Sequence, residues 1–298
     1  MNFKFNAEVA DAIKTKKPIV ALESTVIAHG LPYPFNLKTA KNLEKIVREN
    51  GAIPATIAVF DGEFCVGLND EQIEQLATDK TIRKISRRDL PIAVAKRLNC
   101  ATTVSTTALI AHRAGIKVFA TGGIGGVHRG FAADVSADLP ELAQTPIVIV
   151  CSGAKIVLDL PATREWLETN GVCVLGFGCD ELPAFYSRTS GLTVDERIEA
   201  AGEVAGIVQA RDELNLQSAI LLTVPVPETF EIEAEELEKI LCESLKLAEE
   251  KKIGGKEITP FLLAQMSERS SGKTLAANIA LLENNAQVAA QVALEVYK

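Results

Sequence analysis

The stretch TTALIAHRAGIKVFATGG, residues 106–123, decides the fold class because it joins a helical pattern directly to a strand pattern. Its first ten residues predict a helix that ends at Gly115, and the next apolar run predicts a buried strand over residues 117–120. Two glycines follow that strand. A helix that leads at once into a buried strand is typical of a parallel sheet covered by helices. The stretch therefore predicts an α/β fold.

The same alternation extends to both sides of this stretch. Residues 17–25, KPIVALEST, predict a strand and a turn, residues 36–51 predict a helix capped by Asn36, and residues 145–153, TPIVIVCSG, predict another strand. Residues 52–68 predict two strands around an Asp-Gly turn, which adds antiparallel pairing. We therefore predict a three-layer α/β/α architecture with a mostly parallel, mixed central sheet. No repeat or low-complexity linker interrupts it, so we expect a single domain over residues 1–298.

Composition excludes several classes of partner. The chain has 31 basic and 39 acidic residues and a net charge of −8, which disfavours non-specific binding to nucleic acid or to an anionic membrane. No apolar run reaches the roughly 18 residues of a membrane-spanning helix, and the N-terminal segment has no secretion signal pattern. The six cysteines form no C-x-x-C pair, which argues against structural zinc. We expect a cytoplasmic protein that binds a small molecule, without nucleic acid or membrane.

Glu23 is the first candidate for chemistry, because it follows four apolar residues at the end of a predicted strand. Ligands of parallel sheets gather beyond the carboxyl ends of the strands. Partial burial would raise the pKa of Glu23, which would let the carboxyl hold and deliver a proton near neutral pH. The alternative is a carboxylate that caps the following loop or helix.

Lys155 is the second candidate, because it follows the apolar strand in VIVCSGAK, residues 148–155. We expect it in the first turn of a short helix, where burial and the positive helix end would both favour the neutral, nucleophilic amine. The alternative is a lysine whose stem lies along apolar surface and whose ammonium reaches solvent.

Three further segments carry polar motifs. Residues 119–130, FATGGIGGVHRG, place closely spaced glycines between Thr121 and His128, which suits an anion or a flexible connection but not the Rossmann fingerprint. In residues 130–139, Asp134 and Asp138 could hold a hard cation or cap a helix. The basic cluster in KISRRDLP, residues 84–91, could hold a phosphate or form a solvated face.

Taken together and in this order, the motifs resemble the pseudouridine-5′-phosphate glycosidase family, also called indigoidine synthase A-like proteins. The resemblance covers residues from about 20 to 285, nearly the whole chain. The segments that carry it are ALESTVIAHGLPYP, KISRRDLP, ATTVSTT, TGGIGGVHRG, DVSADL, CSGAK and TLAANIALLENNA.

The resemblance implies reversible cleavage of the C–C glycosidic bond of pseudouridine 5′-phosphate to uracil and ribose 5-phosphate. It assigns the nucleophile to Lys155, the proton donor to Glu23 and a manganese ligand to Asp134, with one largely water-coordinated Mn²⁺ per subunit. It also implies a homotrimer. The substrate-binding residues that it implies are Lys84, Val104, Ser136, Ala137, Asp138, Thr121, His128 and Asn278.

A lysine suits this reaction because the leaving atom is carbon, C5 of uracil, and the usual pair of glycosidase carboxylates gives such a group little help. An amine that bonds C1′ of the ring-opened ribose would give a route resembling a retro-aldol cleavage. Two alternatives stay open from the sequence. One is a Schiff-base aldolase or lyase that acts on another sugar phosphate, and the other is a non-catalytic sugar-phosphate-binding protein.

Overall fold

The computed structural model describes residues 3–130, 133–254 and 258–298. Its strands are β1 (Phe3–Phe5), β2 (Ile19–Glu23), β3 (Ile53–Phe60), β4 (Glu63–Val66), β5 (Arg83–Ile85), β6 (Cys100–Thr102), β7 (Val118–Ala120), β8 (Val127–His128), β9 (Val148–Cys151), β10 (Leu158–Asp159), β11 (Cys173–Phe177), β12 (Glu196–Ile198) and β13 (Ile220–Thr223). Its α-helices are α1 (Ala7–Thr15), α2 (Phe35–Glu49), α3 (Asp70–Thr78), α4 (Leu90–Ala95), α5 (Val104–Arg113), α6 (Asp138–Leu142), α7 (Leu160–Thr169), α8 (Ala201–Glu213), α9 (Ala234–Glu250), α10 (Ile258–Arg269) and α11 (Lys273–Val296).

Eleven strands form one mixed sheet, with a central order β1-β4-β3-β2-β7-β9-β13-β11-β12 and with β5 and β6 beside β3. Neighbouring strands from β3 through β12 in this order are parallel, whereas β3 pairs with β4 and β6 in the antiparallel direction. Strands β8 and β10 form a separate antiparallel pair. The sheet confirms the prediction of a mostly parallel, mixed sheet, including the antiparallel pairing near residues 53–68.

Helices cover both faces of the sheet, which confirms the three-layer α/β/α prediction. Helix α11 packs on β2, β7 and β9 and against α2 and α8, while α5 packs on β2 and β3 and against α6. The apolar face of α11 is core: side chains along its whole length, from Ala277 to Ala293, are buried. This central helix brings its polar residues under the carboxyl edge of the middle strands.

Two local details differ from the sequence prediction. Helix α2 begins at Phe35, so Asn36 lies inside it, and its side-chain amide donates to the main-chain oxygens of Ile27 and Ala77 instead of capping the helix. The sequence near residues 194–214 predicts one long helix, but the structure has the edge strand β12 there before α8 begins at Ala201. The side chain of Glu203 accepts from the main-chain N–H of Ala200 and so fixes the later start.

In the part of the chain that the structure describes, no helix has the length and apolar character needed to cross a bilayer.

Candidate active site

A cavity of about 300 Å³ opens at the carboxyl edge of the sheet, beyond the ends of β2, β7 and β9. This is the position where parallel sheets place their ligands, because the connecting loops diverge there. Ten of the eleven site residues predicted from the sequence lie in its wall: Glu23, Lys84, Val104, His128, Asp134, Ser136, Ala137, Asp138, Lys155 and Asn278.

Glu23 is the last residue of β2 and is 9% exposed. Its Oε1 accepts a hydrogen bond from the hydroxyl of Thr121, which is buried behind it and does not form part of the cavity wall. Burial raises the pKa of Glu23 above its ordinary value, and the positive charge of Lys155 and the Thr121 hydrogen bond act in the opposite direction. The carboxyl is therefore suited to carrying a proton at a higher pH than an exposed glutamate.

Lys155 lies half-buried in the turn between β9 and β10. Its Nζ donates to the main-chain oxygen of Gly123 at 2.7 Å, and its main-chain N–H donates to Ile124 at 3.1 Å. The predicted helix at this position is wrong, because the next helix, α7, begins only at Leu160. Lys155 therefore does not lie in the first turn of a helix, and its hydrogen bonds to residues 123 and 124 fix its position.

A second part of the wall is rich in hydrogen-bond donors. Lys84 lies half-buried on β5, and Val104 is the first residue of the ten-residue helix α5, whose N-terminal N–H groups favour an anion. The hydroxyl of Thr103 at the same helix end is buried and has no hydrogen-bond partner in the structure. Ser86 and Arg88 also line this part of the wall. The arrangement can bind a phosphate group.

Asp138 holds two loops of this wall together. Its Oδ1 accepts from the main-chain N–H of Ser105 at 2.9 Å, and its Oδ2 accepts from that of Gly125 at 2.8 Å. Both oxygens are thus committed to protein donors, and the side chain is 6% exposed. Asp138 therefore ties the start of α5 to the glycine-rich loop, with Ser136 and Ala137 beside it on the cavity surface.

Asp134 is the carboxylate whose oxygens are open to the cavity, with 56% of its side chain exposed. The Nδ1 of His128 lies 3.5 Å from Asp134 Oδ1. Among the described residues, no group of three or more His, Cys, Asp or Glu side chains could hold a metal ion. One carboxylate fits a hard divalent cation that takes its other ligands from water and substrate oxygens, which is the character of the predicted Mn²⁺ site. Phe131 and Ala132, in the same predicted segment, lie outside the described residues.

Several cavity residues were not found from the sequence. Phe185, in the loop after β11, forms part of the wall with its backbone in the left-handed region, at φ 65°. Such a backbone costs about 1–3 kcal/mol in a bulky residue, so the surrounding packing must hold it in place. Its ring lies where a Cβ on Gly123 would come within 2.8 Å, so glycine is needed at position 123. No alternating or helical pattern marks this loop in the sequence.

The remaining walls come from helices. Further lining residues are Asn278 and Leu282 of α11 and Thr259, Pro260 and Leu263 of α10. His29, which follows Glu23 on the π-helical turn Val26–Gly30, lines it too, and burial lowers the pKa of its imidazole, as does the neighbouring charge of Lys84. The apolar members of this wall suit a flat ring, and Asn278 offers it an amide.

The chain is similar to known proteins over nearly its whole length. The family described as "Indigoidine synthase A like protein" matches residues 8–295. The protein named pseudouridine-5′-phosphate glycosidase of Caldanaerobacter subterraneus subsp. tengcongensis is 52% identical over 293 residues, which are 98% of this chain and 95% of that one. The protein of the same name from Clostridium botulinum is 51% identical over 298 residues, 99% of this chain and 97% of that one.

Two solved structures have the same fold. An indigoidine synthase A-like protein from Thermotoga maritima superposes with a TM-score of 0.92 at 38% identity, over 100% of this chain and 97% of that one. The prealnumycin C-glycosynthase AlnA, solved in complex with ribulose 5-phosphate, superposes with a TM-score of 0.92 at 37% identity and the same coverage. On sequence, fold and length alike, the chain belongs to the indigoidine synthase A-like protein family.

Proposed function

We propose that this chain cleaves the C–C glycosidic bond of pseudouridine 5′-phosphate reversibly, giving uracil and ribose 5-phosphate. The observation that carries the proposal is the meeting of Glu23 and Lys155 in one cavity that also has a phosphate-binding wall. Relatives about half identical over nearly the full length are named pseudouridine-5′-phosphate glycosidase, which supports the same substrate here.

Lys155 is the nucleophile in this proposal. As the C1′–O4′ bond of the ribose opens, the amine bonds C1′ and O4′ takes a proton, with Glu23 as the donor. The ammonium formed when the amine bonds C1′ returns one proton to the Glu23 carboxylate, and Glu23 then protonates uracil C5. The C1′–C5 bond breaks as the nitrogen lone pair forms an iminium to C1′ and the bonding electrons pass into the protonated uracil ring. Water adds to the iminium, releases ribose 5-phosphate and restores the amine, so the net reaction consumes one water.

The phosphate is held at the donor-rich wall. Lys84 supplies a positive charge, and the N-terminus of α5 at Val104 supplies main-chain N–H groups. Ser136 and Ala137 line the same cavity as Asp134, and the ribose hydroxyls would be bound there. Asn278 and the apolar side chains around it would hold uracil. The substrate would thus extend from the α5 end of the cavity towards α11.

We also propose that Asp134 holds one Mn²⁺ per subunit, largely coordinated by water. When bound, such a cation supplies positive charge that orients substrate oxygens. His128, whose ring lies beside Asp134, would keep the carboxylate in place through its contact with the same loop. The bond-making and bond-breaking groups remain Lys155 and Glu23.

A homotrimer in the cytoplasm completes the proposal. All six cysteines are free, and Cys65, Cys100 and Cys151 are buried, which suits a reducing compartment. Burial raises the pKa of the Cys151 thiol to about 12, which disfavours the reactive thiolate. Light scattering on the purified chain would test the trimer directly.

The second candidate is a Schiff-base lyase or synthase that acts on a different sugar phosphate. The bound ligand of AlnA favours it, because ribulose 5-phosphate has no free 5-hydroxyl and so stays in open-chain form, as an amine adduct requires. A non-catalytic sugar-phosphate-binding protein is the third, and it would bind the ligand without turnover.

The deciding experiment is the release of uracil from pseudouridine 5′-phosphate by the purified chain with Mn²⁺, followed by chromatography. The reverse reaction, from uracil and ribose 5-phosphate, should yield pseudouridine 5′-phosphate in the same sample. Turnover of another pentose phosphate without any uracil release would favour the lyase, and binding without turnover of any sugar phosphate would favour the binding protein.

A further inference from the structure

A buried polar network lies behind the cavity, where α11 passes under the loops that follow β7 and β9. Its centre is Asn285, which is fully buried and is not part of the cavity wall. It lies seven residues, or two helical turns, after Asn278, so both asparagines face the same loops from α11.

The side-chain amide of Asn285 donates to the main-chain oxygen of Thr121 at 2.9 Å and to the main-chain oxygen of Gly122 at 3.4 Å. The same amide lies 3.1 Å from the hydroxyl of Ser152, which in turn donates to Asn285 Oδ1 at 3.3 Å. Ser152 also donates its main-chain N–H to Gly122 at 2.9 Å. One side chain therefore joins the loop after β7 to the loop after β9.

These loops carry the contacts of both reacting groups. The hydroxyl of Thr121 binds the carboxyl of Glu23, and the main-chain oxygen of Gly123 binds Nζ of Lys155. Residues 121–123 thus hold the acid at one end and the amine at the other, and Asn285 holds the two main-chain oxygens in between.

We propose that Asn285 is a positioning residue, which fixes the distance between the acid Glu23 and the amine Lys155 by holding residues 121–123 against α11. The expected effect on kcat rests on the proposed function. The hydrogen-bond network does not depend on that function. Removal of this buried amide takes the Asn285 donor from the main-chain oxygen of Thr121, while Gly122 keeps its bond from the N–H of Ser152, so the loop can shift at Thr121.

The test replaces Asn285 and compares it with its neighbour. Asn285→Ala removes the side-chain contacts to Thr121, Gly122 and Ser152, and Asn285→Asp keeps the shape but loses the donors. Ser152→Ala removes only the side-chain link to the loop after β9. Asn284→Ala is the matched control, because Asn284 lies next to it on α11 and donates only to Pro225, at 3.3 Å, outside the cavity.

We expect kcat for uracil release to fall by about 10²-fold in Asn285→Ala and Asn285→Asp, with KM nearly unchanged, because small misplacements of reacting groups are costly and the phosphate wall is held by other elements. Ser152→Ala should lose less, and adding it to Asn285→Ala should cost nothing further, since both act through one network. Asn284→Ala should keep the wild-type kcat.

A substrate-free measurement separates this inference from the proposed function. The carboxyl of Glu23 is titrated by carbon-13 NMR in wild type and in Ser152→Ala and Asn285→Ala. We call the hydrogen bonds of Asn285 to Thr121, Gly122 and Ser152 the clamp. If the clamp holds Thr121 and Lys155 against the carboxyl of Glu23, loss of the clamp raises the pKa of Glu23, because both neighbours lower that pKa.

Failure of the wild type to release uracil would defeat the proposed function and leave the titration to test the clamp. Unchanged titration curves would overturn the positioning role. So would a kcat loss in the Asn285 variants no larger than in Asn284→Ala, or a loss that disappears when rates are normalised to the folded fraction. If Asn285→Ala does not fold, Asn285→Asp and Ser152→Ala carry the same kinetic comparison.

Discussion

The Nζ of Lys155 lies 2.7 Å from the main-chain oxygen of Gly123, and the ring of Phe185 covers the other side of that glycine. The position of the amine therefore depends on a residue without a side chain. A Cβ at position 123 would lie 2.8 Å from the Phe185 ring and 3.0 Å from the main-chain oxygen of Gly153. Either the ring or the loop must move to make room for it.

Gly123→Ala should therefore reduce kcat by about 10²-fold, because the shifted carbonyl no longer holds the amine in place. Steady-state rates of uracil release measure this fall in kcat. Gly206→Ala is the control, because a Cβ there meets nothing within 4 Å, and alanine inside α8 should stabilise the fold by about 0.5–1 kcal/mol. Equal rates in the two variants would mean that the carbonyl of Gly123 does not position Lys155.

Glu23→Gln should lower kcat by about 10²–10⁴-fold, the usual effect of removing a general acid. In the wild type, kcat should fall as pH rises through the pKa of Glu23, which burial places above its ordinary value, because the proton needed for C5 is lost. The variant should lack this alkaline limb. A wild-type profile that stays flat up to the denaturation limit would contradict the acid role.

The same group should affect stability in a defined direction. The folded pKa of Glu23 is raised, so its contribution to folding is present below the unfolded value of 4.5 and is lost as pH rises through the folded value. Glu23→Gln should therefore gain stability relative to wild type between pH 5 and pH 8. Urea unfolding at both pH values measures the difference, and a constant difference would contradict the raised pKa.

Lys84→Ala should raise KM for pseudouridine 5′-phosphate by about 10–100-fold with a smaller effect on kcat, because a charge-assisted bond to phosphate contributes about 1.5–3 kcal/mol. Lys80→Ala is a suitable control, since Lys80 is exposed and lies outside the cavity wall. With unphosphorylated pseudouridine as substrate, wild type and Lys84→Ala should have the same KM. A KM effect of equal size on the nucleoside would place Lys84 away from the phosphate.

Removal of metal should abolish uracil release, and Mn²⁺ should restore it. The Asp134→Asn variant should need a much higher Mn²⁺ concentration to reach the same rate, because the proposal makes the Asp134 carboxylate the protein ligand of the metal. Mn²⁺ binding followed by electron paramagnetic resonance gives a readout that does not depend on turnover. Full activity in excess chelator would remove the metal from the account.

Much of the site could be predicted because each strand of a parallel sheet ends at the same edge. Glu23 and Lys155 follow strands that are continuous apolar runs, so the pattern that marks the strand also marks the residue beyond it. The resemblance then joined these positions to Lys84 and Val104, which lie far away in the sequence but in the same wall.

What the sequence did not predict depends on contacts between distant segments. Asn285 lies in a segment that carries the family resemblance, but its neighbours Glu283, Asn284 and Gln287 are polar too, so no local pattern marks it as the buried one. The left-handed backbone of Phe185 follows from packing against Gly123, which no local pattern encodes. The turn at Lys155 was mistaken for a helix start because its short apolar run fits either structure.

The central claim is a covalent bond between Lys155 and C1′ of the sugar, and reductive trapping tests it most directly. The chain is incubated with ribose 5-phosphate and borohydride, digested, and analysed by mass spectrometry, with Lys155→Ala as the control. We predict one added pentose phosphate on the peptide that contains Lys155 and none in the variant. An enzyme that releases uracil but gives no adduct, or gives it equally in Lys155→Ala, would contradict the account.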